Sequence, residues 1–194
     1  MSSGIAEAHV VQSLADEEWP LMARIAAGER EALSELYTRH RGSLLLYLRS
    51  LTGDPELAEE LLQDTVFAAW NGAASFGQRS SVRVWLLGIA RRRAHEAFRR
   101  KSLHLVDVSA YEELPDPDPE PESLAIVAAE REALHAAMWS LSPSHREVLT
   151  LNFLHELSYR DIAAVLGVPI GTVMSRLHHA KRALRTELLK EDRP

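Results

Sequence analysis

The stretch "RSSVRVWLLGIARRRAHEAFRRK" gathers Arg79, Arg83, Arg91, Arg92, Arg93, Arg99, Arg100 and Lys101 against a single acid, Glu96. Arginine and lysine neutralise phosphates, and Trp85 and Phe98 interleave with them. Bases freed from a duplex stack on such rings while arginine holds the backbone. Trp85 also suits a plain core position. A second stretch, "LSYRDIAAVLGVPIGTVMSRLHHAKRAL", has apolar residues at helical steps on either side of Gly167 and ends in basic residues. This is the pattern of two helices joined by a tight turn, the second able to lie in a major groove, or of an ordinary helical hairpin with a solvated basic face. The other candidates are weaker. His178 and His179 are adjacent, and successive helix residues point about 100° apart, which does not suit one metal ion. Glu59 with Glu60, and Glu112 with Glu113, sit on an exposed face or in a Pro-rich stretch, where no apolar pocket would tune them for proton transfer.

The elements that must carry these residues are helical. From about Leu21 to Lys101 apolar residues recur at steps of three and four, with no alternating strand pattern. "GDPELAEELLQDTVFAAW" has a clear helix start, with Asp54 as N-cap, Pro55 at the first position and Glu56 complementing the dipole. Its expected core face is Ala58, Leu61, Leu62, Thr65 and Ala69. Near the C-terminus Ser142 before Pro143 opens one helix, and Ser158 with Asp161 opens the next as a capping box. Tyr159, Ile162, Ala163 and Leu166 are that helix's expected inner stripe, and Gly167 ends it. The last helix, from about Thr172, sets Val173, Leu177, Ala180, Leu184 and Leu188 inward and Ser175, His178, His179 and Arg182 outward, flanked by Thr172 and Met174.

The expected fold is all-α, with two small helical domains. Residues 1–20 lack sustained periodicity and read as a loose tail, 21–101 as the first domain, 102–123 as an extended linker and 124–194 as the second domain. The linker contains "ELPDPDPEPES", and no lysine or arginine occurs from Ser102 to Glu130, so like charges keep it extended. This distribution reconciles a formal charge of −6 with basic candidate surfaces. The absence of cysteine removes disulfides, thiolate zinc sites and thiol nucleophiles. No stretch is apolar and long enough for a membrane span, so a cytoplasmic location is expected.

Four segments in this order resemble the extracytoplasmic-function group of bacterial RNA polymerase sigma factors. They are "EREALSELYTRHRGSLLLYLRSLTGDPELAEELLQDTVFAAW", "SSVRVWLLGIARRRAHEAFRR", the acidic Pro-rich connector and "LSPSHREVLTLNFLHELSYRDIAAVLGVPIGTVMSRL". The resemblance runs roughly from Asp16 to Leu189. It implies that the first domain is sigma region two, which binds core polymerase and opens the minus-ten element. On it, Leu61, Gln63, Asp64, Phe67 and Trp70 would dock on the clamp coiled coil of the largest polymerase subunit. Phe76, Gln78, Arg79 and Ser80 would line a pocket for a base flipped from the non-template strand. Trp85, Arg91, Arg92 and His95 would face that strand or the upstream duplex. The second domain would be region four, reading the minus-thirty-five element through Thr172, Met174, Ser175, Arg176, His178 and His179, with Arg182 also at the DNA. Met174 and His179 depart from the family pattern, which favours Lys or Arg at the first and Arg at the second. The linker would thread through the polymerase toward its active site.

What the resemblance implies is therefore an initiation factor, monomeric when free, that catalyses nothing itself and needs no cofactor or metal. Its partners would be core RNA polymerase, promoter DNA and an anti-sigma factor. A free-standing helix-turn-helix regulator is the alternative, although it has no use for a polymerase-docking helix or an arginine-rich melting segment. An enzyme is disfavoured, since no nucleophile, metal set or phosphate loop emerges from the residues.

Overall fold

The computed structural model describes residues 18–103 and 123–191. Among them every element is helical and none is a strand, as the periodicity predicts. In chain order these are α1 (18–26), α2 (Arg30–Thr52), α3 (Pro55–Gly72), a 3-10 turn (Ala73–Ser75), α4 (Val82–Leu103), α5 (Ser123–Ser140), α6 (Pro143–Leu149), a π-helical turn (Thr150–Leu154), α7 (Tyr159–Leu166) and α8 (Ile170–Glu191). The chain divides into two units, the first holding α1 to α4 and the second holding α5, α6, α8 and the first five residues of α7. Most of the expected tail and linker, with Glu112 and Glu113, lies outside the described residues. Their edges shift, because 18–20 are already helical and α4 runs on through Ser102 and Leu103.

In the first unit α2, α3 and α4 pack against one another. The link from α2 to α3 is set by two residues. Gly53 takes the left-handed conformation at φ 68° and its N–H bonds Arg49 O at 2.9 Å. Asp54 then accepts from the N–H groups of Glu56 and Leu57, each at 3.0 Å, with Pro55 at the first helical position. A cap of this kind contributes about 1 kcal/mol. The predicted face of α3 is buried throughout, and Thr65 satisfies its hydroxyl on Leu61 O at 2.7 Å. Val82, Leu86 and Leu87 of α4 and Tyr47 and Leu48 of α2 are also fully enclosed.

Helix α1 buries Leu21, Met22 and Ile25 and is tied down by a polar contact. Glu18 is 8% exposed, accepts from His40 Nε2 of α2 at 2.8 Å and lies 3.5 Å from Arg39 Nη1. Burial pushes the Glu18 carboxyl up, but the hydrogen bond from His40 and the charges of His40 and Arg39 outweigh it and hold it below its ordinary 4.5. A carboxyl depressed on folding stabilises the fold above its ordinary value, and that contribution is lost as pH falls through the lower folded value. The stability gap between wild type and Glu18→Gln, measured by urea unfolding, is therefore expected to be full near neutrality and to close below pH 4.5. A gap that stays constant with pH would contradict this role.

The second unit packs α8 against α5 and α6. Ser142 caps α6 by accepting from His145 N–H, with Pro143 following it. Arg146 lies 3.7 Å from the ring centre of Trp139 and donates to that residue's carbonyl at 3.3 Å, joining α6 to α5. The chain leaves α6 through the π-helical turn, whose widened backbone shows as a bond from His155 N–H to Thr150 O at 3.2 Å. Among the described residues, no helix is long and apolar enough to cross a membrane.

Candidate nucleic-acid interface

Between α3 and α4 the chain turns through the 3-10 element and a loop over 76–81. Ser75 Oγ donates to Gly72 O at 2.8 Å, and Phe76 N–H donates to Ala73 O at 3.1 Å. Gln78 sits at φ 53°, a conformation that costs a non-glycine residue free energy and that an overdetermined loop must hold. Ser81 begins α4, its hydroxyl accepting from Val84 N–H at 3.3 Å and its carbonyl from Trp85 N–H at 3.1 Å. The first turn of α4 is thereby fixed, and Trp85 with it.

Trp85 is half-buried, between the two readings open to it in the sequence. Its ring meets Phe76 at 5.1 Å between centroids and 51° between planes. A Cβ added to Gly72 would stand 3.3 Å from the indole Cζ2, tighter than ordinary contact. Beside the indole lies an open pocket of about 220 Å³ lined by Ala68, Gly72 and Ser75 from one side and Trp85, Ile89, Arg92, Arg93 and Glu96 from α4. The structure thus brings Phe76, Trp85 and Arg92 together. Gln78 and Arg79 are exposed and Ser80 half-exposed in the adjoining loop, and these three do not line the pocket. His95 is exposed and Arg91 half-buried.

The arginines do not form one stripe. Consecutive positions 91, 92 and 93 point about 100° apart, so they spread around the helix. Arg92, Arg99 and Arg100 are exposed, whereas Arg83, Arg91 and Arg93 are half-buried, and Arg93 Nη1 pairs with Glu96 at 3.0 Å. Sequence reasoning missed Ser75, Arg93 and Glu96 as lining residues. The one available signal was Glu96, the lone acid among the basic residues.

On α3 a separate face points outward. Phe67 is 67% exposed, the largest value among the large apolar residues whose burial is described, with Gln63 and Asp64 exposed beside it and Trp70 half-buried. Leu61 does not belong with them: it is 2% exposed, at a core position of the same helix, and cannot itself touch a partner. An exposed aromatic beside an acid on a rigid helix suits a docking surface.

In the second unit Ser158 Oγ accepts from Asp161 N–H at 3.1 Å and donates to the Asp161 carboxylate at 2.7 Å, closing the start of α7. Gly167, at φ 65°, ends it in the left-handed conformation, and Val168 N–H returns to Ala163 O at 3.2 Å. Ile162 and Leu166 are buried and Ala163 partly so, but Tyr159 is 42% exposed, contrary to the expected stripe. It occupies the first helical position, where no preceding turn covers it. Helix α8 begins at Ile170, two residues before the expected start, and buries Val173, Leu177 and Ala180, with Leu184 and Leu188 half-buried. Met174, Ser175, His178, His179 and Arg182 are exposed, and Thr172 and Arg176 are half-exposed at their edges. The His178 and His179 rings stand edge-on with centroids 5.5 Å apart.

Two family patterns match these two parts of the chain, Sigma-70 region 2 over residues 36–103 and Sigma-70, region 4 over residues 131–184. The ECF RNA polymerase sigma factor SigL of Mycobacterium tuberculosis is 33% identical over 171 residues, covering 86% of this chain and 96% of that protein. RNA polymerase sigma factor YlaC of Bacillus subtilis is 33% identical over 163 residues, covering 83% of this chain and 94% of that protein. Among solved structures, the sigma factor RpoE in complex with the anti-sigma factor NepR from Bartonella quintana is similar at TM-score 0.69 and 28% identity, covering 82% of this chain and 98% of that one. CnrH in complex with the cytosolic domain of CnrY is similar at TM-score 0.65 and 26% identity, covering 91% and 99%.

Proposed function

The chain belongs to the extracytoplasmic-function group of RNA polymerase sigma factors, and from that premise we propose how its surfaces divide the work of initiation. It is a transcription initiation factor that directs RNA polymerase to specific promoters. The first unit, about 21–101, acts as region two. The exposed face of α3 carrying Gln63, Asp64, Phe67 and Trp70 docks on the clamp coiled coil of the polymerase. Phe76 and Trp85, with Arg92 and the exposed Gln78, Arg79 and His95, take up the non-template strand of the minus-ten element. Stacking of an extruded base offsets part of the cost of melting, so no nucleotide hydrolysis is required.

The second unit, about 124–194, acts as region four. Helix α8 enters the major groove N-terminus first, and Thr172, Met174, Ser175, Arg176, His178, His179 and Arg182 meet the minus-thirty-five element. An anti-sigma factor is the expected partner, since the similar sigma factor RpoE of Bartonella quintana is in complex with the anti-sigma factor NepR; the free chain is expected to be a monomer. The observation that carries this reading is the aromatic and arginine-lined pocket on α4, in the same chain as a capped helix-turn-helix. A regulator that binds closed duplex has no use for that pocket.

The decisive experiment is size-exclusion chromatography with core bacterial RNA polymerase, followed by run-off transcription from a fragment library. Co-elution with sequence-specific transcripts is expected. Elution apart from polymerase, with duplex binding retained, would hand the reading to the free-standing regulator. Within this scheme Arg176→Ala is expected to weaken promoter binding about tenfold and to lower the slope of log affinity against log salt by about one. Unchanged affinity across a salt series would remove Arg176 from the interface.

A further inference from the structure

The leading end of α8 carries an exposed apolar strip. Ile170 and Met174 are 46% and 54% exposed, and a spacing of four residues sets them one turn apart on the same face. Gly171 lies between them in the chain. It takes no left-handed φ, and a Cβ added there would meet nothing within 4 Å, so packing within the chain does not call for a glycine, a poor helix former. The surroundings of the strip say what kind of molecule fits it. From Ile162 to Thr186 the chain holds no Asp or Glu, while Ser175, His178, His179, Lys181, Arg182 and Arg185 are exposed along α8. An apolar strip set among cations complements the major groove, whose rims are phosphates and whose floor is base edges.

The base edges limit what such a strip can recognise. Neither side chain donates a hydrogen bond, and the methionine sulfur is only a weak acceptor. The C5-methyl of thymine is the one apolar group that the bases present in the major groove. Contact with thymine therefore returns apolar burial that contact with the other three bases does not. Of the two side chains, Ile170 is stiff at its branched Cβ, whereas Met174 is unbranched and polarisable and can follow a methyl group in the groove.

We infer that Met174 is a specificity-determining residue that reads the C5-methyl group of a thymine in the minus-thirty-five element, with Ile170 extending the apolar strip beside it. The inference rests on the proposed entry of α8 into the major groove, and it adds the chemical group that this part of the helix recognises.

The test measures binding of holoenzyme, reconstituted from core polymerase and the full chain, to a promoter duplex selected by the wild type. Each thymine of the minus-thirty-five element is replaced in turn by deoxyuridine, which lacks only the methyl. At one thymine the wild type is expected to lose about fourfold in affinity, the equivalent of one methyl group left in water. Met174→Ala is expected to bind the thymine and deoxyuridine duplexes alike, and Met174→Leu, still apolar, to keep most of the difference. 5-Methylcytosine at that position should recover part of what the wild type loses with cytosine. Met174 is mostly exposed, so alanine there leaves no cavity, and its circular dichroism is expected to match that of the wild type. An element without thymine, or a wild-type profile indifferent to every methyl in it, would overturn the inference, as would a deoxyuridine penalty undiminished in Met174→Ala. Loss of co-elution with core enzyme in Met174→Ala would make the strip a protein-binding surface and overturn it too. The reading of α8 beneath it fails in a different way: wild-type holoenzyme would then tolerate any sequence in place of the minus-thirty-five element, and the inference would fall with it.

Discussion

Alanine at Phe67 is expected to weaken association with core RNA polymerase by roughly 30-fold or more, because a central aromatic anchor contributes about 2–4 kcal/mol to an interface. The side chain is 67% exposed in the chain alone, so its truncation opens no cavity and leaves thermal unfolding nearly unchanged. Asp64→Arg, on the same exposed face, reverses a charge at the edge of the anchor and is expected to abolish co-elution with core enzyme while helicity stays intact. Both residues lie off the buried stripe of α3, so loss of binding with full helicity would isolate the surface from the fold. Either variant co-eluting as wild type would mean that polymerase docks elsewhere.

Trp85→Ala is expected to slow promoter opening by about 5- to 150-fold, the equivalent of the roughly 1–3 kcal/mol carried by one base stacked on an aromatic ring. Polymerase binding should persist, since the proposed docking face of α3, with Gln63, Asp64 and Phe67, does not line the pocket. The indole is half-buried against Phe76 and Gly72, so its removal also disturbs packing. Two comparisons separate the effects. Trp85→Phe keeps a stacking face and should recover much of the rate. A template already unpaired across the minus-ten element should be transcribed almost as well by the alanine variant as by wild type. An equal loss on duplex and unpaired templates would make Trp85 a packing residue with no part in melting.

Much of the helical framework was legible because its determinants are local. Asp54 with Pro55, Ser142 with Pro143, and Ser158 with Asp161 each settle a helix start within three residues, and Gly167 ends a helix in a conformation that glycine takes without strain. The core faces of α3 and α8 follow from periodicity in the same way. The start of α1 was hidden because Glu18 finds its partner, His40, 22 residues away, a pairing that no window along the chain displays. The π-helical turn at Thr150–Leu154 carries no glycine or proline to announce it.

The candidate surfaces were legible as residue types and only partly as arrangements. Exposed Phe67 and the outward face of α8 follow from which positions the core does not claim. Leu61 shows the limit of a motif, since a segment can match a docking surface while one of its residues faces inward. The pocket was out of reach, because it arises where the end of α3 crosses α4 and depends on the distance between Gly72 and Trp85. Neither residue signals the other in the sequence.

That distance makes Gly72 a gauge. With 3.3 Å between an added methyl and the indole, the position of the ring is metered by an atom missing from a different helix. If Trp85 takes up the strand as proposed, a larger residue at Gly72 is expected to change how readily a promoter opens by displacing the indole. In a mutational scan it would register as a kinetic dial on initiation, set from behind the surface that does the work.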